Sequence, residues 1–381
     1  MALTLEERIF SAREKLAAVM DKKYPAVIGF DGFVDEIIDV VDKRTSATQL
    51  SGYTRIETIS ALAARISKAA GLSTNIELVP RLVKLGGNGP IMANALSAMG
   101  MVITYVGALG KPAIHPVFQE LVDKAERVIS FAEPAHTDAL EFTDGKVMLG
   151  KHLTVMDVNW ENLTAMISVA ELRDIFRQAR LIATVNWTML PFMTDMWRHL
   201  LAEVLPALEG GHPPLIFFDL ADPEKKPVAE LVTALRTIEQ FNTCCRPVLG
   251  LNLKEAHQVA AALEITLKPE ASLEEITKAI AGSLKVYGVV VHPTKGAACM
   301  VDGTFAEVAG PYTSKPKLTT GAGDNFNAGF CLGLMLDLPP ADALVTGVGT
   351  SGFYVRNGRS PSRAELLSFL DLWRQNCDKE F

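Results

Sequence analysis

The sequence of 381 residues is poor in cysteine, has no excess of positive charge and contains no long apolar run. Its five cysteines are an odd, scattered set, which excludes a disulfide framework, and none has the Cys-x-x-Cys spacing of a structural zinc site. The 37 basic and 44 acidic residues, a net charge of −7, provide no electrostatic attraction for nucleic acid or an anionic membrane surface. The charge-free stretches 181–194 and 325–336 are shorter than the ~18 apolar residues of a membrane span. We therefore expect a cytoplasmic protein with reduced thiols that binds neither nucleic acid nor membranes.

Apolar residues make up 49% of the chain and charged residues 21%, which is typical of a soluble globular protein. Near-continuous apolar runs predict buried strands at Tyr24–Phe30, Met101–Gly107, Leu181–Trp187, Leu215–Leu220, Pro247–Asn252 and Val286–His292. Amphipathic runs of helix length lie between them, as at Glu57–Ala70, Leu172–Arg180 and Val228–Gln240. Strands without polar alternation fit a parallel sheet that is covered on both faces, so we predict a doubly wound α/β domain.

One segment departs from this pattern. Residues 139–149 contain two short runs joined at Asp144-Gly145, which is a β-hairpin signal. A hairpin within a parallel α/β chain indicates a small appended sheet. Because the sequence shows no low-complexity linker and no internal repeat, we predict a single domain over residues 1–381 with a minor β-rich extension.

A glycine-rich segment precedes a predicted helix. Residues 319–324 (Thr-Thr-Gly-Ala-Gly-Asp) come directly before 325–336, an apolar run of helix length. A helix N-terminus presents unpaired N–H groups and a positive dipole end, which bind anions, and glycines let the backbone come close to the ligand. In a phosphoryl-transfer site, Asp324 in the first turn would accept the proton of an attacking hydroxyl. The alternative is an ordinary helix start with Thr320 or Asp324 as its cap.

Further motifs accompany this segment in order along the chain. The glycine-rich segment continues as Asn-Phe-Asn-Ala-Gly-Phe at 325–330, and residues 85–90 are Leu-Gly-Gly-Asn-Gly-Pro. Residues 28–30 (Ile-Gly-Phe) lead to Asp35, residues 252–255 are Asn-Leu-Lys-Glu, and residues 355–358 are Val-Arg-Asn-Gly. Together these motifs resemble those of the ribokinase-like, PfkB-type carbohydrate kinases, and the resemblance spans about residues 25 to 375. It implies a mostly parallel central sheet flanked by helices, with a small β lid from segments near 31–50 and 110–160.

The resemblance also implies a reaction and residues that perform it. We expect ATP-dependent phosphoryl transfer to a hydroxyl of a sugar or sugar derivative, with Asp324 as general base. The turn formed by Gly321, Ala322 and Gly323 would stabilise charge on the phosphoryl group through its N–H groups. The expected contacts to the substrate are Asp31, Asp35, Gly87, Asn88, Gly89 and Asn186, the last because it ends a buried strand of an open sheet. The spacing from the first strand leaves open whether Asp31 or Asp35 is the main contact.

ATP and magnesium are the implied cofactors. Glu255 and Asn252 are expected to hold Mg²⁺ through water molecules, because this ion keeps much of its hydration shell. The residues expected around the nucleotide are Asn252, Lys295, Gly296, Thr320, Asn357 and Gly358. Taken alone, Asn-x-x-Glu is also the pattern of a capping box at a helix start. The small-molecule substrate is the expected partner, and pairing of two lids in a homodimer is left open.

Three features depart from the family's pattern. Leu318 stands where the family often has an Asp that helps bind a monovalent cation, which makes activation by such an ion doubtful. Pro293 replaces a glycine near the nucleotide phosphates and removes an N–H donor, for which the charge of Lys295 is a candidate replacement. The segment 51–84 is longer than expected and predicts an added helix near the sugar side.

Two alternatives remain open at this point. A nucleoside or vitamin-alcohol kinase of the same fold would need an aromatic acceptor pocket, for which Phe30, Phe33 and Trp187 are candidates. A non-catalytic sugar-binding protein is supported only by the altered segment 291–295, and the intact Asp324 argues against it. A dinucleotide-binding oxidoreductase and a P-loop kinase are set aside, because the sequence contains neither of their glycine-rich motifs in the required place.

Overall fold

The computed structural model describes residues 3–19, 21–208 and 213–381, which form two β-sheets and the helices that cover them. The strands are β1 (Pro25–Phe30), β2 (Phe33–Arg44), β3 (Tyr53–Arg55), β4 (Leu78–Gly86), β5 (Val102–Gly107), β6 (Arg127–Ser130), β7 (Ala135–Phe142), β8 (Gly145–Lys151), β9 (Leu181–Thr184), β10 (Leu215–Asp219), β11 (Arg246–Leu251), β12 (Gly288–Val291), β13 (Gly296–Val301) and β14 (Thr304–Ala309). The α-helices are α1 (Leu5–Ala18), α2 (Ile59–Ser67), α3 (Asn88–Ala98), α4 (Gln119–Lys124), α5 (Trp160–Met166), α6 (Val169–Gln178), α7 (Met193–His199), α8 (Val228–Gln240), α9 (Leu253–Ala262), α10 (Leu273–Ser283), α11 (Ala322–Met335), α12 (Pro340–Asn357) and α13 (Arg363–Arg374).

The large sheet contains all six strands that the apolar runs predict. Its order is β14-β13-β12-β11-β10-β9-β1-β5-β6. Every neighbouring pair from β12 to β6 is parallel, and only the pairs β12–β13 and β13–β14 are antiparallel. The predicted α/β fold with a mostly parallel central sheet is therefore confirmed. The largest difference is in β9, which ends at Thr184, three residues before the predicted end.

Successive side chains of the central strands enter two separate cores. In β1, Ala26 and Ile28 belong to the core that α3, α11, α12 and α13 cover, whereas Val27 belongs to the core beneath α6, α8 and α9. Because side chains of a strand alternate between the faces of a sheet, both faces of β1 must be apolar. This explains why the buried strands show no polar alternation.

The second, smaller sheet has the order β3-β2-β7-β8. The strand β4 also pairs with β2, over residues 33–40, whereas β3 pairs with residues 41–44. The predicted hairpin is present as β7 and β8, with its two-residue turn at Thr143-Asp144, one residue earlier than predicted. Two strands of this sheet, β3 and β4, lie outside the segments 31–50 and 110–160, and β6, which lies within them, belongs to the large sheet. The long segment 51–84 does add a helix: Leu62 of α2 packs against Ile38 and Val40 of β2.

Two structural findings concern the expected reduced thiols and the expected lack of membrane binding. All five cysteines are free thiols, and three of them are buried. Within the described ranges, we find no helix that has both the length and the apolar character to cross a bilayer.

Glycines let α11 and α12 pack closely. A Cβ atom added to Gly329 would lie 2.4 Å from Thr350 Oγ1, and one added to Gly333 would lie 2.6 Å from the Cα atom of Ala343. Both distances are shorter than van der Waals contact, and the second involves backbone that cannot rotate away. This close packing fixes the axis of α11, whose first turn contains Asp324.

We expect Gly333→Ala to lower the free energy of unfolding by ~1–3 kcal/mol, because α12 must move to admit the methyl group. Gly282→Ala in α10 is the matched control, since no atom lies within 4 Å of its added Cβ. That variant should gain ~0.5–1 kcal/mol from the higher helix propensity of alanine. Urea unfolding of the two variants measures the difference, and equal effects would contradict the close packing of α11 and α12.

Candidate active site

Polar side chains collect at the carboxyl ends of the central strands. Asp31 follows β1, Asn186 lies two residues beyond β9, Asp219 ends β10 and Asn252 follows β11. These strands are neighbours in the large sheet, so their ends lie along one edge. In open α/β sheets this edge is where ligands bind.

The carboxylate of Asp31 holds the glycine turn at the start of α3. Its Oδ2 accepts a hydrogen bond from the N–H of Asn88, and its Oδ1 accepts one from the N–H of Gly89, both at 2.9 Å. A Cβ atom on Gly89 would lie 2.5 Å from this Oδ1, and Gly87 has a φ of 93°, so both positions require glycine. The turn and the carboxylate therefore fit each other closely.

Two further groups complete the surroundings of Asp31. Asn186 adopts a positive φ of 66° and its Nδ2 donates to Asp31 Oδ2 at 2.7 Å. The hydroxyl of Tyr105 donates to the Asp31 carbonyl at 2.6 Å. Burial raises the pKa of Asp31 to about 6, although the hydrogen bonds from Asn186, Gly89 and Asn88 oppose the shift.

Asp35 lies on β2 of the small sheet, facing the same glycine turn. A Cβ atom on Gly86 would lie 2.4 Å from Asp35 Cγ, so this turn also approaches the second carboxylate closely. Asp35 pairs in register with Lys84 of β4 and Thr137 of β7. Burial raises the pKa of Asp35, and the charge of Lys84 and a hydrogen bond with Thr137 oppose the shift.

The first turn of α11 presents Asp324 and free backbone amides. Gly321 caps the helix with a φ of 92° and no side-chain hydrogen bond, so neither Thr320 nor Asp324 is the cap. Among the described residues, the N–H groups of Gly323 and Asp324 make no backbone hydrogen bond to another residue. These amides are available to an anion at the positive end of the helix dipole.

The carboxyl group of Asp324 is buried beside other acidic groups. Burial raises its pKa well above the ordinary value, and the charges of Asp219 and Asp31 raise it further. A hydrogen bond with the Asn88 side chain opposes this shift. A carboxylate with a raised pKa is a stronger base than free aspartate, which suits it to accept a proton from a hydroxyl.

Asp219 is a site residue that the sequence analysis missed. It accepts hydrogen bonds from the N–H of Ala221 at 2.8 Å and from Nδ2 of Asn327 at 2.8 Å. Burial and the charge of Glu255 raise the pKa of Asp219 to about 8. A signal was present, because Asp219 is the only acidic residue of the predicted strand Leu215–Leu220 and stands at its carboxyl end.

Asn252 and Glu255 form a capping box at the start of α9. Asn252 Oδ1 accepts from the N–H of Glu255 at 3.0 Å, and Glu255 Oε2 accepts from the N–H of Asn252 at 2.8 Å. Glu255 Oε1 also accepts from the N–H of Asp222 at 2.9 Å. Glu255 is buried, which raises its pKa. The capping box that Asn-x-x-Glu predicts by itself is therefore present at this edge of the sheet.

The donor set at this edge fits a hydrated magnesium ion better than a tightly coordinated metal. Across the described residues, no three His, Cys, Asp or Glu side chains are close enough together to ligate a metal directly. Asp219 and Glu255 place two buried carboxylates side by side, and the buried Oδ1 of Asn327 has no hydrogen-bond partner. Oxygen donors that act through water are what Mg²⁺ commonly uses.

A cleft of about 410 Å³ opens beside the first turn of α11. Of the residues predicted around the phosphates and the nucleotide, Asn252, Gly296, Ala322 and Gly323 line it. His292 also lines it, stacked on Phe326 with 4.6 Å between ring centroids. Burial lowers the pKa of His292 to about 4, so its imidazole is neutral at physiological pH.

Other residues predicted at the nucleotide site are not among those that line the cleft. Lys295 Nζ lies 5.0 Å from the centre of the Tyr312 ring. Asn357 ends α12 and its Nδ2 donates to the Phe353 carbonyl, and Gly358 caps that helix with a φ of 71°. Thr320 precedes the Gly321 cap. Asn357 and Gly358 do not line the cleft, and they lie two and three residues beyond Val355, the last residue of α12 that does.

Solved structures with the same fold include a ribokinase and a phosphofructokinase. Ribokinase from Arabidopsis thaliana, complexed with ribose and ATP, matches with a TM-score of 0.63 and 18% identity, covering 91% of this chain and 98% of that one. A mutant of phosphofructokinase-2 from Escherichia coli matches with a TM-score of 0.61 and 15% identity, covering 92% and 98%. The fold is therefore that of the ribokinase-like kinases, as the motifs indicate.

Sequence comparison is more specific. A ketohexokinase from Haloferax volcanii is 29% identical over 361 residues, which are 94% of each chain. The model of the prokaryotic ketohexokinase family matches residues 3–373. The chain belongs to this family and is a carbohydrate kinase.

We expect Asp219→Asn to stabilise the magnesium-free protein increasingly as pH rises. The pKa of Asp219 is raised in the folded state, so stability present at low pH is lost as pH increases from about 4 toward 8. Asparagine cannot ionise and avoids this loss, by ~1–3 kcal/mol at about pH 8. Thermal unfolding in a chelating buffer at several pH values tests this, and a Tm difference that does not vary with pH would contradict it.

Proposed function

We propose that this carbohydrate kinase transfers the γ-phosphoryl group of ATP to a hydroxymethyl group of a ketohexose. The observation that carries the proposal is the placement of buried Asp324 in the first turn of α11, directly after Gly323, which has a free amide and lines a cleft of nucleotide size. The match to the prokaryotic ketohexokinase family supports the choice of a ketohexose as acceptor.

Asp324 is proposed as the general base. In the reaction, the sugar oxygen forms a bond to the γ-phosphorus while the bond to the β–γ bridging oxygen breaks, and the hydroxyl proton passes to Asp324. The amides of Gly323 and Asp324 face the developing charge on the phosphoryl oxygens. The neighbouring carboxyls of Asp219 and Asp31 increase the basicity of Asp324.

The acceptor is proposed to lie between the glycine turn and the small sheet. Asp31 already accepts three hydrogen bonds, from Asn88, Gly89 and Asn186, so it positions the turn more than it binds sugar. Asp35 accepts no bond from that turn and lies on the small sheet, so we assign it the main sugar contact. The small sheet acts as a lid that excludes water during transfer.

ATP is proposed to occupy the cleft beside α11, with its phosphates at the first turn of that helix. Asp219, Glu255 and Asn252 would hold the magnesium ion through water molecules. Bound there, the ion would neutralise charge on the phosphates. The protein contributes two buried carboxyls, Asp219 and Glu255, whose pKa values are raised mainly by burial.

The alternative acceptor classes receive less support. Phe30 and Trp187, which were candidates for stacking on a nucleobase, are fully buried: Phe30 packs edge-on against Phe131, and Trp187 donates to Thr194. Neither ring is available to an acceptor. A non-catalytic role is opposed by the combination of Asp324, the free amides and the cleft.

We expect Asp324→Asn to lower kcat with fructose and ATP by about 10²–10⁴-fold, since asparagine cannot accept the proton. The KM for both substrates should change little. Asp342→Asn is the matched control, because Asp342 is also a buried aspartate but lies at the far end of α12, bonded to Lys15. Formation of a sugar phosphate, followed by phosphorus NMR, measures the rates.

The outcome also decides between the proposals. Loss of turnover in Asp324→Asn with activity retained in Asp342→Asn supports the base. Turnover of nucleosides but not of ketohexoses by the wild-type enzyme would show that the acceptor is a nucleoside. Equal rates in both variants would show that Asp324 is not the general base.

We expect Glu255→Gln to raise the Mg²⁺ concentration for half-maximal activity by roughly tenfold, because one of the two paired carboxylates loses its charge. Glu275→Gln provides a matched control: Glu275 forms the same capping box with Ser272 at the start of α10, but it is exposed. Magnesium titrations of the two variants separate the loss of a cap from the loss of an ion site. An equal effect of both substitutions would leave Glu255 only the capping role.

A further inference from the structure

A lysine of the lid reaches the loop that precedes α11. Lys146 lies on β8, and its Nζ donates a hydrogen bond to Thr320 Oγ1 at 2.6 Å. Thr320 directly precedes Gly321, the residue that caps α11, and its carbonyl accepts a hydrogen bond from Tyr354 at 2.8 Å. The ammonium group therefore lies one residue from the turn whose amides face the phosphoryl group.

The same ammonium group also acts on the acceptor side of the site. The charge of Lys146 opposes the rise in the pKa of Asp35 and lowers the pKa of Lys84. In the small sheet, Lys84 of β4 pairs with Asp35 of β2, β2 pairs with β7, and β7 pairs with β8. The side chains of Asp35, Lys84 and Lys146 therefore lie on one face of this sheet. Lys146 thus stands between the sugar-binding carboxylate and the phosphoryl-binding turn.

The site holds more carboxylates than cations, and the ammonium group of Lys84 lies beside Asp35 on the acceptor side. Asp31, Asp219 and Asp324 are buried together, and ATP would add further negative charge. On the nucleotide side, the ammonium of Lys254 is bound by Asp222 and Glu224. No carboxylate of the described residues lies within 4 Å of Lys146, so its charge is available to a phosphate oxygen.

The hairpin that carries Lys146 is held by hydrogen bonds to residues at the start of α2. In its turn, Asp144 Oδ1 accepts from the N–H of Ile59 at 3.0 Å, and the N–H of Thr143 donates to the Glu57 carbonyl at 2.8 Å. These contacts fix the tip of the hairpin to the residues that begin α2. The side chain of Lys146 is consequently presented toward α11 by a supported turn.

We propose that Lys146 contacts the transferring phosphoryl group and makes transfer dependent on the position of the lid. The inference rests on the proposed function. The ammonium group exchanges its bond with Thr320 for a γ-phosphoryl oxygen and stabilises the charge there, while Asp324 takes the proton and ADP leaves. Because Asp35 and Lys146 belong to the same sheet, closure over a sugar brings the cation to ATP. Transfer to water is then disfavoured when no sugar is bound.

The kinetic test compares two lysines of β8. Lys146→Met is expected to lower kcat about 10–100-fold and to raise the KM for ATP, with smaller changes in the KM for sugar. The reason is that a charged hydrogen bond to the γ-phosphoryl group forms when ATP binds and strengthens in the transition state. Lys146→Arg should recover part of the loss. Lys151→Met is the control, since Lys151 pairs with Asp138 at the other end of the strand. Thr320→Val removes the hydrogen bond but not the charge, and should lower kcat less than Lys146→Met.

Equilibrium binding tests the same contact without turnover. With fructose present, Lys146→Met should weaken AMP-PNP, a non-hydrolysable ATP analogue, roughly tenfold and ADP less than twofold, because only the former has a γ-phosphoryl group. Equal weakening of both, or of neither, would overturn the proposal. A loss confined to the KM for sugar would also overturn it, because Lys146 would then serve only the acceptor. Turnover of ketohexoses by the wild-type enzyme is measured separately, and that measurement tests the proposed function and not the role of Lys146.

Discussion

The buried carboxylate of Asp31 is the interaction on which the rest of the site depends. It joins the end of β1, the glycine turn at the start of α3 and Asn186 beyond β9 through three hydrogen bonds. Only glycine at position 89 allows this approach, since a methyl group would overlap the Asp31 carboxylate. An aspartate taken out of water must recover its lost hydration in hydrogen bonds. Asp31 does so with the amides of the turn, and thereby places Asn88 beside Asp324.

The accumulation of negative charge is the second constraint. Asp219 and Asp324 have raised pKa values because they are buried close to other carboxyls. Such groups reduce the stability of the protein when it binds no cation, and this cost is typical of sites that bind cations and phosphates. The same repulsion increases the basicity of Asp324. Stability and reactivity in this site are therefore set by one physical cause.

The two sheets have different tasks. The large sheet supplies fixed strand ends for Asp219 and Asn252, and the cleft beside them receives Gly323 from α11. The small sheet carries Asp35 and Lys146, whose contacts reach the same place from the opposite side. The proposed mechanism requires both sets together, and it therefore depends on the packing of the small sheet over the large one.

The amino-acid sequence by itself determined the parallel sheet, the existence of the hairpin around Asp144 and the helix that starts beside Gly321. These features follow from local causes, namely continuous apolar runs, turn residues and glycine conformations, all read within about a dozen residues. The tertiary structure alone decided which side chains meet. Asn327 forms a hydrogen bond with Asp219 across 108 residues of sequence, and Lys146 forms one with Thr320 across 174. The tertiary structure also places Asn357 outside the cleft. Such pairs depend on strand order and on how the small sheet packs, and local periodicity contains no information about either.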